Sequence, residues 1–264
     1  MINNLRFELS FKNIVQLEKK LKFCKSNKIN NINIPCKGII KKEFFNTTFE
    51  YINKNFSELD VVYHYSLFHQ YTKNIEKSYQ KLLSFTKICN LNKIYQILLV
   101  SGSNKRKNFD VINLLDYMKK EKDVNVKFGI AYNPYLHKYF NISTERERYE
   151  KKISSGLIQS SWIQFGTDLE VISREVSYLR KNDEYKKINL FGSLLIPSKQ
   201  FVARFKFRPW KEVYIEDRYL NSLEDFYKFS KDLLDFYFDN NIIPVIETDF
   251  TSTEKLNYIQ SLIK

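Results

Sequence analysis

A carboxylate, a carboxamide and two imidazoles stand at or near the ends of short apolar runs in this chain. Glu8 lies in Leu5-Arg6-Phe7-Glu8-Leu9, and Gln164 lies in Trp162-Ile163-Gln164-Phe165. His64 and Ser66, Ser101 to Ser103, Tyr132 to His137, Asp168, Pro197 to Phe201 and Glu247 to Asp249 fall at comparable places. If those runs are parallel strands of one barrel, their carboxyl ends surround a single mouth. An acid and an amide there suit proton donation to a polar heterocycle. A carboxyl group in an apolar mouth favours its neutral form, as general-acid work requires. A glutamate near a terminus can equally cap or pair locally, and the sequence leaves both readings open. No local spacing joins Glu8, His64 and His137 into a metal site, so no metal is expected. Serine-hydrolase chemistry has no support, because no Gly-x-Ser-x-Gly elbow is present.

The elements that must position these residues alternate regularly. Apolar runs at 5–9, 31–35, 60–68, 95–100, 126–132, 159–165, 188–196 and 242–246 read as strands. Helical periodicity fills the intervals at 13–25, 41–55, 74–89, 109–120, 145–155, 169–181, 223–239 and 253–263. The segment 199–219 is mixed, with a short helix and an excursion. Crossovers through helices imply parallel strands. Eight such units predict an α/β fold, a single eight-stranded parallel (β/α) barrel of the TIM type, as one domain over 1–264. A doubly wound open sheet competes, but no Gly-rich phosphate turn follows the first strand.

Composition bounds the rest. A hydrophobic content of 43% suffices for a sizeable core, and 28% charged residues is ordinary for a globular protein. No apolar run approaches the roughly 20 residues that span a bilayer. No secretion signal is expected from Met1-Ile2-Asn3-Asn4-Leu5-Arg6. Cys24, Cys36 and Cys89 have neither metal nor redox spacing. A cytoplasmic protein with reduced thiols, no membrane partner and room for homo-oligomerisation is the expectation. The net charge of +13 arises from 43 basic and 30 acidic residues scattered along the chain. It reads as solvated lysine faces, or as a positive field for an anionic cofactor or polyglutamylated substrate. Lys206-Phe207-Arg208-Pro209-Trp210-Lys211 interleaves basic and aromatic residues as single-strand binders do, yet no nucleic-acid module surrounds it. Nucleic acid is therefore not the expected partner.

The order of the strand ends resembles the methylenetetrahydrofolate reductase family over most of the chain. The resemblance is carried by Phe7-Glu8, by Phe128-Gly129-Ile130-Ala131-Tyr132-Asn133-Pro134-Tyr135-Leu136-His137, by Arg148 to Gly156, by Trp162-Ile163-Gln164-Phe165 and by Ile196-Pro197-Ser198-Lys199-Gln200-Phe201. It implies hydride transfer from NADH or NADPH through FAD to a tetrahydrofolate derivative, methylenetetrahydrofolate, giving methyltetrahydrofolate. Glu8 then matches the acid that opens the imidazolidine ring, Gln164 the pterin-binding glutamine, and Phe201 a stacking aromatic. His64, Tyr132, His137, Glu145 and Lys152 fall on positions that the resemblance assigns to the flavin.

The chain also departs from that pattern. Val100-Ser101-Gly102-Ser103 stands where Leu-Arg-Gly-Asp is usual, so Ser101 and Ser103 replace an arginine and an aspartate. Pro35-Cys36-Lys37-Gly38 replaces threonine–tyrosine–glycine, and Asn133 is inserted before Pro134. Losing a charge-assisted bond to the flavin removes about 1.5–3 kcal/mol, so weak or absent FAD is expected. Two further readings stay beside the flavoprotein: a folate-binding barrel without flavin, and a nicotinamide-linked reductase that dispenses with it.

Overall fold

The computed structural model describes residues 2–35, 42–92, 94, 96–101, 110–121, 126–136, 142–210 and 212–263. Eight parallel strands close into a barrel in sequential order, β1-β2-β3-β4-β5-β6-β7-β8, the TIM architecture expected from the alternation. The strands are β1 (Arg6–Glu8), β2 (Asn31–Ile34), β3 (Asp60–Ser66), β4 (Gln96–Val100), β5 (Lys127–Tyr132), β6 (Ile158–Ile163), β7 (Asn189–Leu194) and β8 (Ile243–Ile246). Between β1 and β5 run α1 (Ile14–Ser26), α2 (Lys42–Asn55), α3 (Leu67–Gln70), α4 (Ile75–Leu91) and α5 (Val111–Met118). After β5 come α6 (Ile142–Ile153), α7 (Leu169–Leu179), α8 (Asp183–Lys186), α9 (Lys199–Phe207), α10 (Asp217–Asn221), α11 (Leu223–Asp239) and α12 (Thr253–Leu262).

Two compact units can be distinguished, one comprising 1–7, 131–149 and 160–264, the other 8–130 and 150–159. In the second unit, β2, β3, β4 and β5 pair in parallel, with Asn33 opposite Val62, Tyr63 opposite Ile97 and Ile97 opposite Phe128. Tyr63 packs on Phe49 of α2 and Tyr65 on Phe85 of α4, with ring centroids 4.3 and 5.1 Å apart. Those odd-numbered positions of β3 therefore face the helices, and Val62 and His64 face the barrel interior.

In the first unit, Phe7 packs on Phe250 at 4.5 Å, which turns its neighbour Arg6 inward. The Arg6 guanidinium lies over Phe191, and Phe191 stacks on Trp162 with centroids 4.2 Å apart and planes 8° from parallel. The Trp162 indole donates to Ser160 Oγ at 2.9 Å, so its polar edge is satisfied in the interior. Gly192, next to Phe191, faces α11. Any Cβ there would overlap the Tyr237 ring, whose hydroxyl donates to the Ser193 carbonyl at 2.9 Å.

Helix starts follow the sequence chemistry closely. Asn13, Asn74, Asp110, Asp168, Ser198, Ser222 and Ser252 each accept a bond from the first-turn backbone of their helix. Several apolar runs end earlier as strands than their composition suggests, among them 60–68 and 188–196. The run 60–68 stops at Ser66, whose hydroxyl caps α3. The run 188–196 stops at Leu194, because the Ile196 N–H turns to Thr248 Oγ1 at 2.7 Å.

Candidate functional site

Glu8 is the last residue of β1 and is only 8% exposed. Alternation from Phe7 puts it on the interior face. The Leu9 N–H donates to the Asn33 carbonyl at 2.8 Å, a parallel-ladder bond that sets Glu8 beside Asn33 of β2. Asn33 in turn faces Val62, and His64 stands one step further toward the carboxyl end of β3, half-buried. The second unit thus brings together an acid, a carboxamide and an imidazole on the inner face of three consecutive strands. Asn33 escaped the sequence reading. Asn31-Ile32-Asn33-Ile34 alternates like a strand with a wet face, whereas both faces of a barrel strand are buried.

In the first unit, loops after β5, β6 and β7 lock one another. The Gln164 N–H donates to the Tyr132 carbonyl at 2.9 Å, and the Gln164 side-chain oxygen accepts from the Phe165 N–H at 3.0 Å. That leaves the Gln164 amide nitrogen as the group it can offer a ligand. The inserted Asn133 is buried; its Oδ1 accepts from the Tyr135 N–H and its Nδ2 donates to the Glu212 carbonyl, both at 2.9 Å. Tyr135 donates to the carbonyls of Gly166 and Asp168 at 3.0 and 3.2 Å and stacks on Tyr214. The Glu216 N–H donates to Thr167 Oγ1 at 2.8 Å. Asp168, a candidate by its position near the strand end, caps α7 through a 3.0 Å bond from the Val171 N–H. Phe201, on α9, is half-buried among Phe205, Trp210 and Phe226, with its ring edge toward Trp210 at 5.3 Å.

The residues assigned to the flavin are placed differently from one another. Tyr132 is fully buried in the helix layer, where its hydroxyl donates to Glu175 Oε2 at 2.6 Å. Glu175, on α7, also receives Arg146 Nη2 at 2.7 Å, Arg146 Nε at 3.0 Å and Arg174 Nε at 3.2 Å. Burial works against the Glu175 charge, but these bonds outweigh it and hold the carboxyl below its ordinary range. Burial and the Glu175 carboxylate together push the Tyr132 phenol well up. Glu145, in the first turn of α6, is buried, accepts from the Asn133 N–H at 3.4 Å and pairs with Arg148 at 3.7 Å. Lys152 is 5% exposed in the last turn of α6, and His64 lines the interior near Glu8. His137 and Ser103 lie outside the described residues.

Several of the described residues at the positions assigned to the flavin are poorly suited to hold it. The Tyr132 hydroxyl is committed to Glu175, Lys152 is enclosed, Glu145 would repel a pyrophosphate, and Ser101 offers no charge. Among the described residues no three of His, Cys, Asp and Glu form a group that could hold a metal ion. No described helix is long and apolar enough to cross a membrane. Two surface hollows, one of 420 Å³ at the starts of β3 and β4 and one of 700 Å³ between α9 and α10, include neither Glu8 nor Gln164.

No protein-family model matches the chain, and no curated protein matches it. Its fold is shared with several solved structures. An uncharacterized protein from Clostridium thermocellum that binds two copies of 5-methyl-5,6,7,8-tetrahydrofolic acid aligns with a TM-score of 0.60 at 12% identity, over 98% of this chain and 93% of that one. A thermostable aldo-keto reductase in complex with the inhibitor epalrestat gives 0.55 at 12% identity, over 98% and 89%. Active domain 2 of a chitinase from Pyrococcus furiosus gives 0.54 at 12% identity, over 92% and 83%. At such identities the likeness is one of fold, a barrel that serves unrelated chemistries.

Proposed function

We propose that this chain is a reduced-folate barrel of the methylenetetrahydrofolate reductase type, in which Glu8 is the general acid. The observation that carries the reading is the placement of Glu8: the terminal residue of β1, facing inward and 8% exposed. Likeness in fold to a barrel that binds 5-methyltetrahydrofolate supports the choice of ligand.

In this reading the Glu8 carboxyl gives its proton to N10 of methylenetetrahydrofolate as the bond between N10 and the methylene carbon breaks. The product is an N5 iminium. A hydride from C4 of a reduced nicotinamide adds to the methylene carbon, giving the N5-methyl group and oxidised nicotinamide, and Glu8 recovers its proton from water. No step passes through a flavin.

The test measures binding and turnover separately. The wild type should bind 5-methyltetrahydrofolate and oxidise NADH or NADPH only when methylenetetrahydrofolate is present, with or without added FAD. Glu8→Gln should lower turnover about 100-fold or more, in the range of general acid–base effects, while leaving folate affinity within a few-fold. A wild type that binds folate but turns nothing over would make it a folate-binding barrel without reductase chemistry. A wild type that binds no reduced folate would remove the proposal altogether.

A further inference from the structure

Asn33 has a side chain with no exposure at all, and neither its Oδ1 nor its Nδ2 has a hydrogen-bond partner among the described residues. Buried amides of that kind are rare, because each unmade bond costs the desolvation of a polar group. A strand interior gains nothing from an asparagine. β-Branched apolar residues suit the position, and Ile32 and Ile34 flank it. The unsatisfied group is also set beside Glu8 in the β1–β2 ladder, on the same inward face.

We infer that Asn33 is a specificity-determining contact of the Glu8 site, whose carboxamide pairs with an adjacent donor and acceptor on the ligand. That edge is the one a lactam-type heterocycle presents, such as the amino-oxo pyrimidine of a reduced pterin. The inference rests on the folate reading given above and names the part of the ligand that this residue reads. Because Asn33 is sealed from water, an unmatched ligand would leave both amide atoms unpaired, which makes the contact discriminating. His64 stands one ladder step nearer the carboxyl end of β3 and is half-buried.

The test sets stability against affinity. Asn33→Leu keeps the approximate shape and removes both polar atoms. In the ligand-free protein it should raise the melting temperature by a few degrees, since an unsatisfied amide is replaced by an apolar group. It should weaken 5-methyltetrahydrofolate about 10- to 100-fold, as loss of two hydrogen bonds from a dry site does. Tetrahydropterin without the aminobenzoyl-glutamate tail should lose affinity by the same factor, because the contact is to the ring. Asn33→Ser, smaller and sure to be accommodated, should weaken both probes in the same direction. A wild type that binds neither probe would defeat the folate reading and this inference with it. A wild type that binds while Asn33→Leu binds equally well, or loses stability without a change in affinity, would overturn the role of Asn33 alone. A loss confined to the full folate would overturn the ring contact.

Discussion

Replacing Tyr132 by Phe separates a structural tyrosine from a ligand contact. The change removes one atom, the hydroxyl that donates to Glu175 at 2.6 Å, and leaves the ring edge-on to Tyr149 at 5.3 Å. What is lost is a hydrogen bond to a carboxylate that is 1% exposed, an interaction of about 1.5–3 kcal/mol. In a chain of this length each kcal/mol moves the melting temperature by about 2–4 °C, so a fall of roughly 3–12 °C is expected at neutral pH. The pH dependence has a definite sign. Glu175 has a folded pKa below its ordinary value, so the stability it contributes is complete above the unfolded value of about 4.3 and disappears as pH falls through the lower folded one. The variant holds that proton less reluctantly, so the gap between the two proteins should narrow below about pH 4. Thermal unfolding followed by circular dichroism at neutral and acid pH measures both effects, and titration with FAD and 5-methyltetrahydrofolate completes the assay. An unchanged melting temperature together with a loss of ligand affinity would refute the reasoning and make Tyr132 a ligand contact.

Gly192→Ala should destabilise by about 1–3 kcal/mol, as overpacking does, because its Cβ would overlap the ring of the fully buried Tyr237. Chemical denaturation reads that loss, and a wild-type midpoint would show that α11 moves aside. Freshly purified protein should show little or no flavin absorption, and Ser101→Arg should raise FAD affinity by supplying the missing charge. Stoichiometric flavin in the wild type would show that other residues hold it.

The barrel was legible because each strand is a short apolar run with a helical pattern before the next, and eight such units have one economical closure. Helix starts fell close to where the periodicity placed them, and in the structure Asn13, Asn74, Asp110 and Ser198 cap them. Strand ends were read too far where tertiary bonds intervene. Ser66 turns to cap α3, and the Ile196 N–H leaves the ladder for Thr248, neither of which hydrophobicity records. The hollow beside α9 and α10 and the exposed Phe207 and Trp210 had a local signal, the basic–aromatic run 206–211, but not a ligand.

Which strand-end residues face a ligand is harder to read, because both faces of a barrel strand are buried and hydrophobicity no longer separates inside from outside. Parity does, once one residue per strand is fixed by its packing. Phe7 on Phe250 turns Glu8 inward; Tyr63 and Tyr65 on helix rings turn His64 inward. Trp162 on Phe191 faces inward, so Gln164, two residues on, shares that face. Tyr132 gives its hydroxyl to Glu175 of α7 and is turned to the helices. Among strand-end residues alike in sequence, parity assigns Glu8, His64 and Gln164 to the interior and Tyr132 to the scaffold. The same count places Asn33 inward beside Glu8. Asn33 is an inward polar residue with no partner among the described residues, so its amide gains nothing from folding alone.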